Sequence, residues 1–270
     1  MAAEPEFGEH GRWGGRLTRR DLPEDDPSID ELVPAVRERL ATIWQYRAAT
    51  ERRVADSFEV IRASLERRRA DQSLIELAQR AVDDEYRHTE LSRRVASRFR
   101  GAEVETPPRL PLEVPKHLGA SAELRDDLFV IGQCLFNETT ASAFLECCLN
   151  HAEGALAQVA LRELLADEVE HGRMGWTYLA SLDRKERERV EPWLLPMAFT
   201  NLKLWRKETP PDAENAALAA HGAPPAAEIH RALVDALETL IVPGFAELGL
   251  RTEPLATWLR TGAPTDQPPI

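Results

Sequence analysis

The chain has 270 residues, 43% of them hydrophobic and 30% charged, enough to bury a core as one large domain or two small ones. Forty-six acidic side chains against 34 basic ones give a formal charge of −12, which weighs against nucleic acid and anionic membranes as partners but not against small cations. No apolar run reaches the roughly 18 residues of a membrane span, and three cysteines, Cys134, Cys147 and Cys148, offer neither a disulfide framework nor a CxxC pair. Long stretches of alanine, leucine, glutamate and arginine with few glycines point to an all-α chain, read here as cytoplasmic.

Residues 1–27, rich in Gly, Arg and Pro, are expected to form an irregular arm. A first helix is predicted from "PSIDE", with Ser28 as N-cap and a bend at Pro34. Trp44, Ala48, Ala55, Phe58, Ile61 and Leu65 recur along it at helical period. After the polar turn "ERRRADQS" comes a second helix with Leu74, Leu77, Ala78, Ala81, Val95 and Phe99 on one side. The proline-rich segment 101–120 cannot be helical throughout. A third helix is predicted over about 122–150 and a fourth from Gly154 to about Leu182. A fifth, kinked by proline, falls in "RVEPWLLPMAFTNLKLW" and a sixth over roughly 227–248, with a loose tail at 261–270.

Short links make the first two helices one antiparallel hairpin and the next two another. The link between the hairpins, ~20 residues at ~3.3 Å each, can span ~66 Å and so return along a ~45 Å helix. The expected organisation is therefore a four-helix bundle over 28–182, two hairpins with a long crossover, with additional helices from 183–260 packed on it.

The sequence Asp-Glu-x-x-His occurs twice, as Asp84-Glu85-x-x-His88 and Asp167-Glu168-x-x-His171, 83 residues apart (85 to 168). Residues three apart share a helix face, so each Glu–His pair can bind one ion. A bare Glu-x-x-His is a weak signal, and its placement says more. Ala81, Ser92 and Val95 flank the first pair and Leu161, Leu164 and Gly175 the second, so both glutamates are expected to point inward. An unpaired carboxylate is costly there, and a cation would compensate it. Arg87 and Glu170 are expected on other faces. A dinuclear site in a four-helix bundle takes one more carboxylate from each remaining helix. Glu138 is the acid in the stripe of Cys134, Leu135, Ala141 and Leu145, and it and Glu168 each lie 15 residues from position 153. In the first helix Glu51 shares the stripe of Trp44, Ala48 and Phe58, whereas Glu59 lies ~80° away. Glu51 is the choice and Glu59 the fallback.

The set Glu51, Glu85-x-x-His88, Glu138 and Glu168-x-x-His171 resembles the ligands of the ferritin-like di-iron carboxylate superfamily, which includes bacterioferritins, rubrerythrins, ribonucleotide reductase small subunits and bacterial multicomponent monooxygenases. The pattern Trp44-x-x-Arg47-x-x-x-Glu51, then Phe58, then Asp84-Glu85-x-x-His88 resembles poorly characterised bacterial ferritin-like proteins. The resemblance covers about residues 28–182. It implies two Fe ions, or a Mn/Fe pair, held by four carboxylates and two imidazoles. It also implies that Asp84 orients His171 and Asp167 orients His88, and that Ser142, one turn after Glu138, stands near an oxygen pocket. Ser92 occupies the place of the radical tyrosine in ribonucleotide reductase, and no CxxC rubredoxin module is present. The expected function is an oxidase or oxygenase taking dioxygen and a small-molecule substrate, with a reductase or ferredoxin as donor and room for a homodimer. A ferroxidase or storage-type protein is the alternative, and a non-catalytic helical scaffold the second.

Overall fold

The computed structural model describes residues 12–13, 16–17, 22–208 and 215–266. Of the predicted arm, two antiparallel two-residue strands, β1 (Arg12–Trp13) and β2 (Arg16–Leu17), are described; the rest up to position 21, and His10 with it, lie outside the described residues. Among the described residues, everything that follows is helical or connects helices. The order is α1 (Pro27–Asp30), α2 (Pro34–Arg67), α3 (Gln72–Arg100), α4 (Ala122–Val130), a π-helical segment Ile131–Asn137, α5 (Glu138–His151) and α6 (Ala155–Ser181). Then come α7 (Arg184–Val190), a 3-10 turn Glu191–Trp193, α8 (Leu194–Glu208), α9 (Ala216–Ala219), α10 (Ala226–Ala236), a second π segment Leu237–Ile241, α11 (Val242–Glu247) and α12 (Glu253–Arg260). Among the described residues no helix is long and apolar enough to cross a membrane.

Two expectations at the first helix are corrected. Asp26, not Ser28, is the cap: its carboxylate accepts from the Ser28 N–H at 3.2 Å and the Ser28 hydroxyl at 2.5 Å. Pro34 begins α2 instead of bending it, because at the first turn its missing N–H belongs to a donor with no intrahelical partner anyway. The third predicted helix runs through but changes winding at Ile131–Asn137. The last predicted helix likewise contains a π segment, and α12 follows it unforeseen.

The long helices pair as hairpins. Arg100 at the end of α3 meets Glu38 near the start of α2 at 2.8 Å, and Tyr86 donates to Glu59 at 2.9 Å, so α2 and α3 are antiparallel. α3 ends on Gly101 in the left-handed conformation (φ 71°), a cap that suits glycine. α5 and α6 are joined by the tight turn 152–154. A β-carbon on Gly175 of α6 would stand 2.5–2.6 Å from backbone atoms of Cys134 and Leu135, so this helix packs backbone against backbone on the π segment. Residues 101–121 carry the chain from the end of α3 to the start of α4 without a helix.

The C-terminal elements pack on this frame. Trp205 of α8 donates to Thr140 at 3.0 Å and stacks on Phe144 at 5.1 Å, and Phe245 of α11 lies 5.5 Å from both Phe136 and Trp176. In the predicted loose tail Ala263 and Thr265 are buried, and Trp258 donates to the Pro264 carbonyl; residues 267–270 lie outside the described residues. The apolar core divides into two clusters. One gathers Phe58, Ile61, Leu65, Leu74, Ala78, Leu135 and Leu179 with the C-terminal elements, and the other Leu40, Trp44, Val95, Phe99, Leu156 and Leu161. On α2, α3 and α6 the acids and histidines of the motif fall between the two.

Candidate metal centre

Helix phase decides which side chains meet at mid-height. Glu85 and His88 on α3, Glu138 on α5, and Glu168 and His171 on α6 are all at most 3% exposed, while Glu51 on α2 is half-buried. Two overlapping groups result. Glu51, Glu85, His88 and Glu168 each offer an oxygen or nitrogen within 4.8 Å of the others, and so do Glu85, Glu138, Glu168 and His171. Glu85 and Glu168 belong to both. Glu59, the fallback, is bonded to Tyr86 instead and joins neither group.

The histidines are oriented alike. Nδ1 of His88 faces Glu168 at 3.3 Å and Glu85 at 3.6 Å, and Nδ1 of His171 faces Glu85 at 3.1 Å and Glu168 at 3.2 Å. The outer nitrogens face the aspartates across the helix pair: His88 Nε2 lies 3.3 Å from Asp167 and His171 Nε2 lies 3.6 Å from Asp84. At His88 that hydrogen bond fixes the tautomer and leaves the inner nitrogen free to face the glutamates, whereas the 3.6 Å at His171 is an ion-pair approach without a hydrogen bond.

Arg87 does not stay on an outer face. Its guanidinium pairs with Asp167 and lies 3.7 Å from Asp84 and 3.8 Å from Glu163, a buried acid that the motif did not reveal. A helical position sets where a Cα points, and a long arginine stem can still carry its charge around the helix. The repeat could not signal this, because the second copy has Glu170 at the matching place.

Electrostatics follow from enclosure. Burial first, then the charges of Glu85 and Glu168, hold Glu51 well above the usual carboxylate range, and burial with Glu168 does the same to Glu138. Burial alone would lower the imidazoles, but the carboxylates win. The approach of the Glu168 and Glu85 carboxylates to its Nδ1 raises His88 to about 9, and His171 also rises well above its ordinary value. Glu168 goes the other way: burial opposes its charge, and His171 with hydrogen bonds from His171, His88 and Glu138 holds it well below. Gln133, on the π segment, donates to Glu138 at 2.5 Å. A π turn at such a place re-aims the side chains that follow it.

These residues fit a pair of divalent cations. Both oxygens of Glu85 and Nδ1 of His88 are buried without a hydrogen bond of good geometry, which native interiors seldom tolerate. The donors, carboxylate and imidazole in a 4:2 ratio, suit Fe or Mn.

Ser142 lies elsewhere. With Thr139 and Gly172 it lines a groove of about 720 Å³ between α5, α6 and α10, where Trp176, Val169 and Leu240 supply apolar surface. Thr139 and Gly172 directly follow Glu138 and His171, so the groove floor backs onto the centre. Cys134, Cys147 and Cys148 are buried and free, as packing residues would be. His221 is 3% exposed, with its ring edge-on to Phe99 and its Nδ1 over Gly154.

Comparison with protein-family models, with curated proteins and with solved structures finds no match to the chain.

Proposed function

We propose that this is a ferritin-like carboxylate protein that binds two Fe ions, or a Mn/Fe pair, and uses dioxygen to oxidise a small molecule. The observation that carries the reading is the pair of buried ligand groups sharing Glu85 and Glu168. Antiparallel hairpins and the long segment 101–121 are consistent with the ferritin-like layout. Glu51, Glu85, His88, Glu138, Glu168 and His171 would hold the ions, and as Fe(II) these would supply two electrons to dioxygen. The chain's own residues do the rest. His88 and His171 present Nδ1 inward while Asp167 hydrogen-bonds the outer nitrogen of His88 and Asp84 faces that of His171. Glu51 and Glu138 hold protons that they can give up when cations enter. Gln133 steadies one oxygen of Glu138, and the apolar clusters above and below keep bulk water out. The helices from α7 onward exceed what an iron-handling bundle needs and favour a small-molecule oxidase, and a reductase or ferredoxin would return the electrons.

The test is anaerobic loading with Fe(II), metal analysis, and optical spectra on mixing with oxygen. About two irons per chain and an oxygen-dependent absorption, both lost in the Glu168→Ala, His171→Ala double variant, support the reading. Iron well below one per chain, or the same behaviour in the variant, refutes it.

A further inference from the structure

Arg47 is a second unexplained charge. It stands one turn before Glu51 on α2 and is only 6% exposed. A guanidinium at that depth calls for an anion, yet among the described residues no ion pair reaches it. Its Nη2 makes two long contacts, 3.4 Å to the Gly222 carbonyl and 3.8 Å to Cys148 Sγ. Its plane rests on Trp44 at 4.1 Å and Phe144 at 5.1 Å. Nη1 has no partner at all. The other buried-side arginines differ: Arg68 is paired with Asp127, and Arg87 has three acids round it.

Charge bookkeeping sharpens the anomaly. Glu51, one turn on, is close enough for its charge to interact with Arg47, but two divalent cations would balance the four glutamates and leave the guanidinium without that offset. Its surroundings, two aromatic faces and a thiol, would suit the apolar body of an organic acid.

We propose that Arg47 is a binding residue for the carboxylate of a small organic acid, with Nη1 as the waiting donor, and that this acid is the substrate class of the neighbouring Glu/His centre. The second half rests on the dimetal reading; the anion site itself does not.

The experiment titrates full-length protein, metal-free and Mn(II)-loaded, with acetate, benzoate and decanoate by calorimetry, with benzamide as the uncharged control. At least one carboxylate binds, and benzamide does not. Arg47→Met weakens that binding roughly tenfold or more, the scale of a charge-assisted hydrogen bond, and Arg47→Lys falls between. Manganese content is unchanged in both variants, and Arg47→Met melts no lower than the wild type, because an unpaired buried charge has been removed. Wild type that binds no carboxylate in either form, equal binding by Arg47→Met, or a melt of Arg47→Met far below wild type overturns the proposal. If wild type takes up no manganese, the dimetal reading fails alone, and carboxylate binding by the metal-free protein still decides the anion site.

Discussion

Helix α6 carries two buried polar clusters two turns apart, the Glu/His centre at Glu168 and His171 and a smaller group at Tyr178. In the smaller one Tyr178 donates to Asp127 at 2.7 Å, Arg68 donates to the Tyr178 oxygen at 2.7 Å, and Arg68 is paired with Asp127. Charges cancel and the hydroxyl both gives and receives. The Glu/His centre has more charge and fewer bonds: both Glu85 oxygens go without a hydrogen bond of good geometry. The first cluster is complete as folded and fastens α2 and α4 to α6. The second leaves buried oxygens of Glu85 and a buried nitrogen of His88 without such a bond, which the first does not.

The contrast can be broken by mutation. Asp127→Ala should strand a buried phenol and an arginine, and cost about 2 kcal/mol by chemical denaturation, since Arg68 is partly exposed and water softens the loss. Glu85→Leu should cost clearly less in metal-free protein, about 1 kcal/mol or below, because its oxygens approach two imidazoles without a well-formed hydrogen bond, while removing an acid that belongs to both candidate ligand groups, so that metal content collapses. If Glu85→Leu destabilises as much as Asp127→Ala, the two clusters are of one kind and the contrast is false.

The pH response sharpens it with a smaller effect. His88 is raised from an ordinary 6.5 to about 9 in the fold. A raised folded value stabilises fully below 6.5, and that stabilisation is lost as pH climbs through 9. Glu51 and Glu138, also raised, act in the same direction from the ordinary carboxylate range upward. Metal-free protein should therefore melt at lower temperature between pH 6.5 and 9. Metal-loaded protein should hold steady or improve, because cations displace the same protons. Parallel slopes in the two forms would show that protons and cations do not compete for the site.

Much of the centre could be read from residue spacing because the counts that mattered crossed only regular helix. From position 153 back to Glu138 the chain is α5, and forward to Glu168 it is α6, so equal counts meant equal height. The irregular winding lies just upstream, at 131–137, where only Cys134 and Leu135 of the Glu138 stripe had been placed by period and no ligand height was counted. Glu51 against Glu59 was resolved in the same way, by angular position. Sequence period could not foretell contacts made by reach or by distant chain. Arg87 arrives by its long stem, and Glu163 becomes visible only once Arg87 is in place. His221 is buried because residues 219–223 fold over the turn at Gly154, with the Glu153 and Gly154 N–H groups donating to Ala220 at 2.8 and 2.9 Å. Asp26 completes that corner by accepting from Leu156 at 2.9 Å.

The π segment ahead of Glu138 also sets the timing of everything after it. Each π turn spends one residue more than an α turn, so the stretch acts as an insertion absorbed inside a continuous helix. Taking one residue out of 131–137 would let the segment relax to ordinary winding and rotate Glu138, Ser142 and Glu146 together by about 100° relative to α4. The backbone contact at Gly175 opposes that relaxation, since it seats α6 on Cys134 and Leu135 as they now stand. One glycine on the neighbouring helix thus acts as the register mark for a glutamate it never touches.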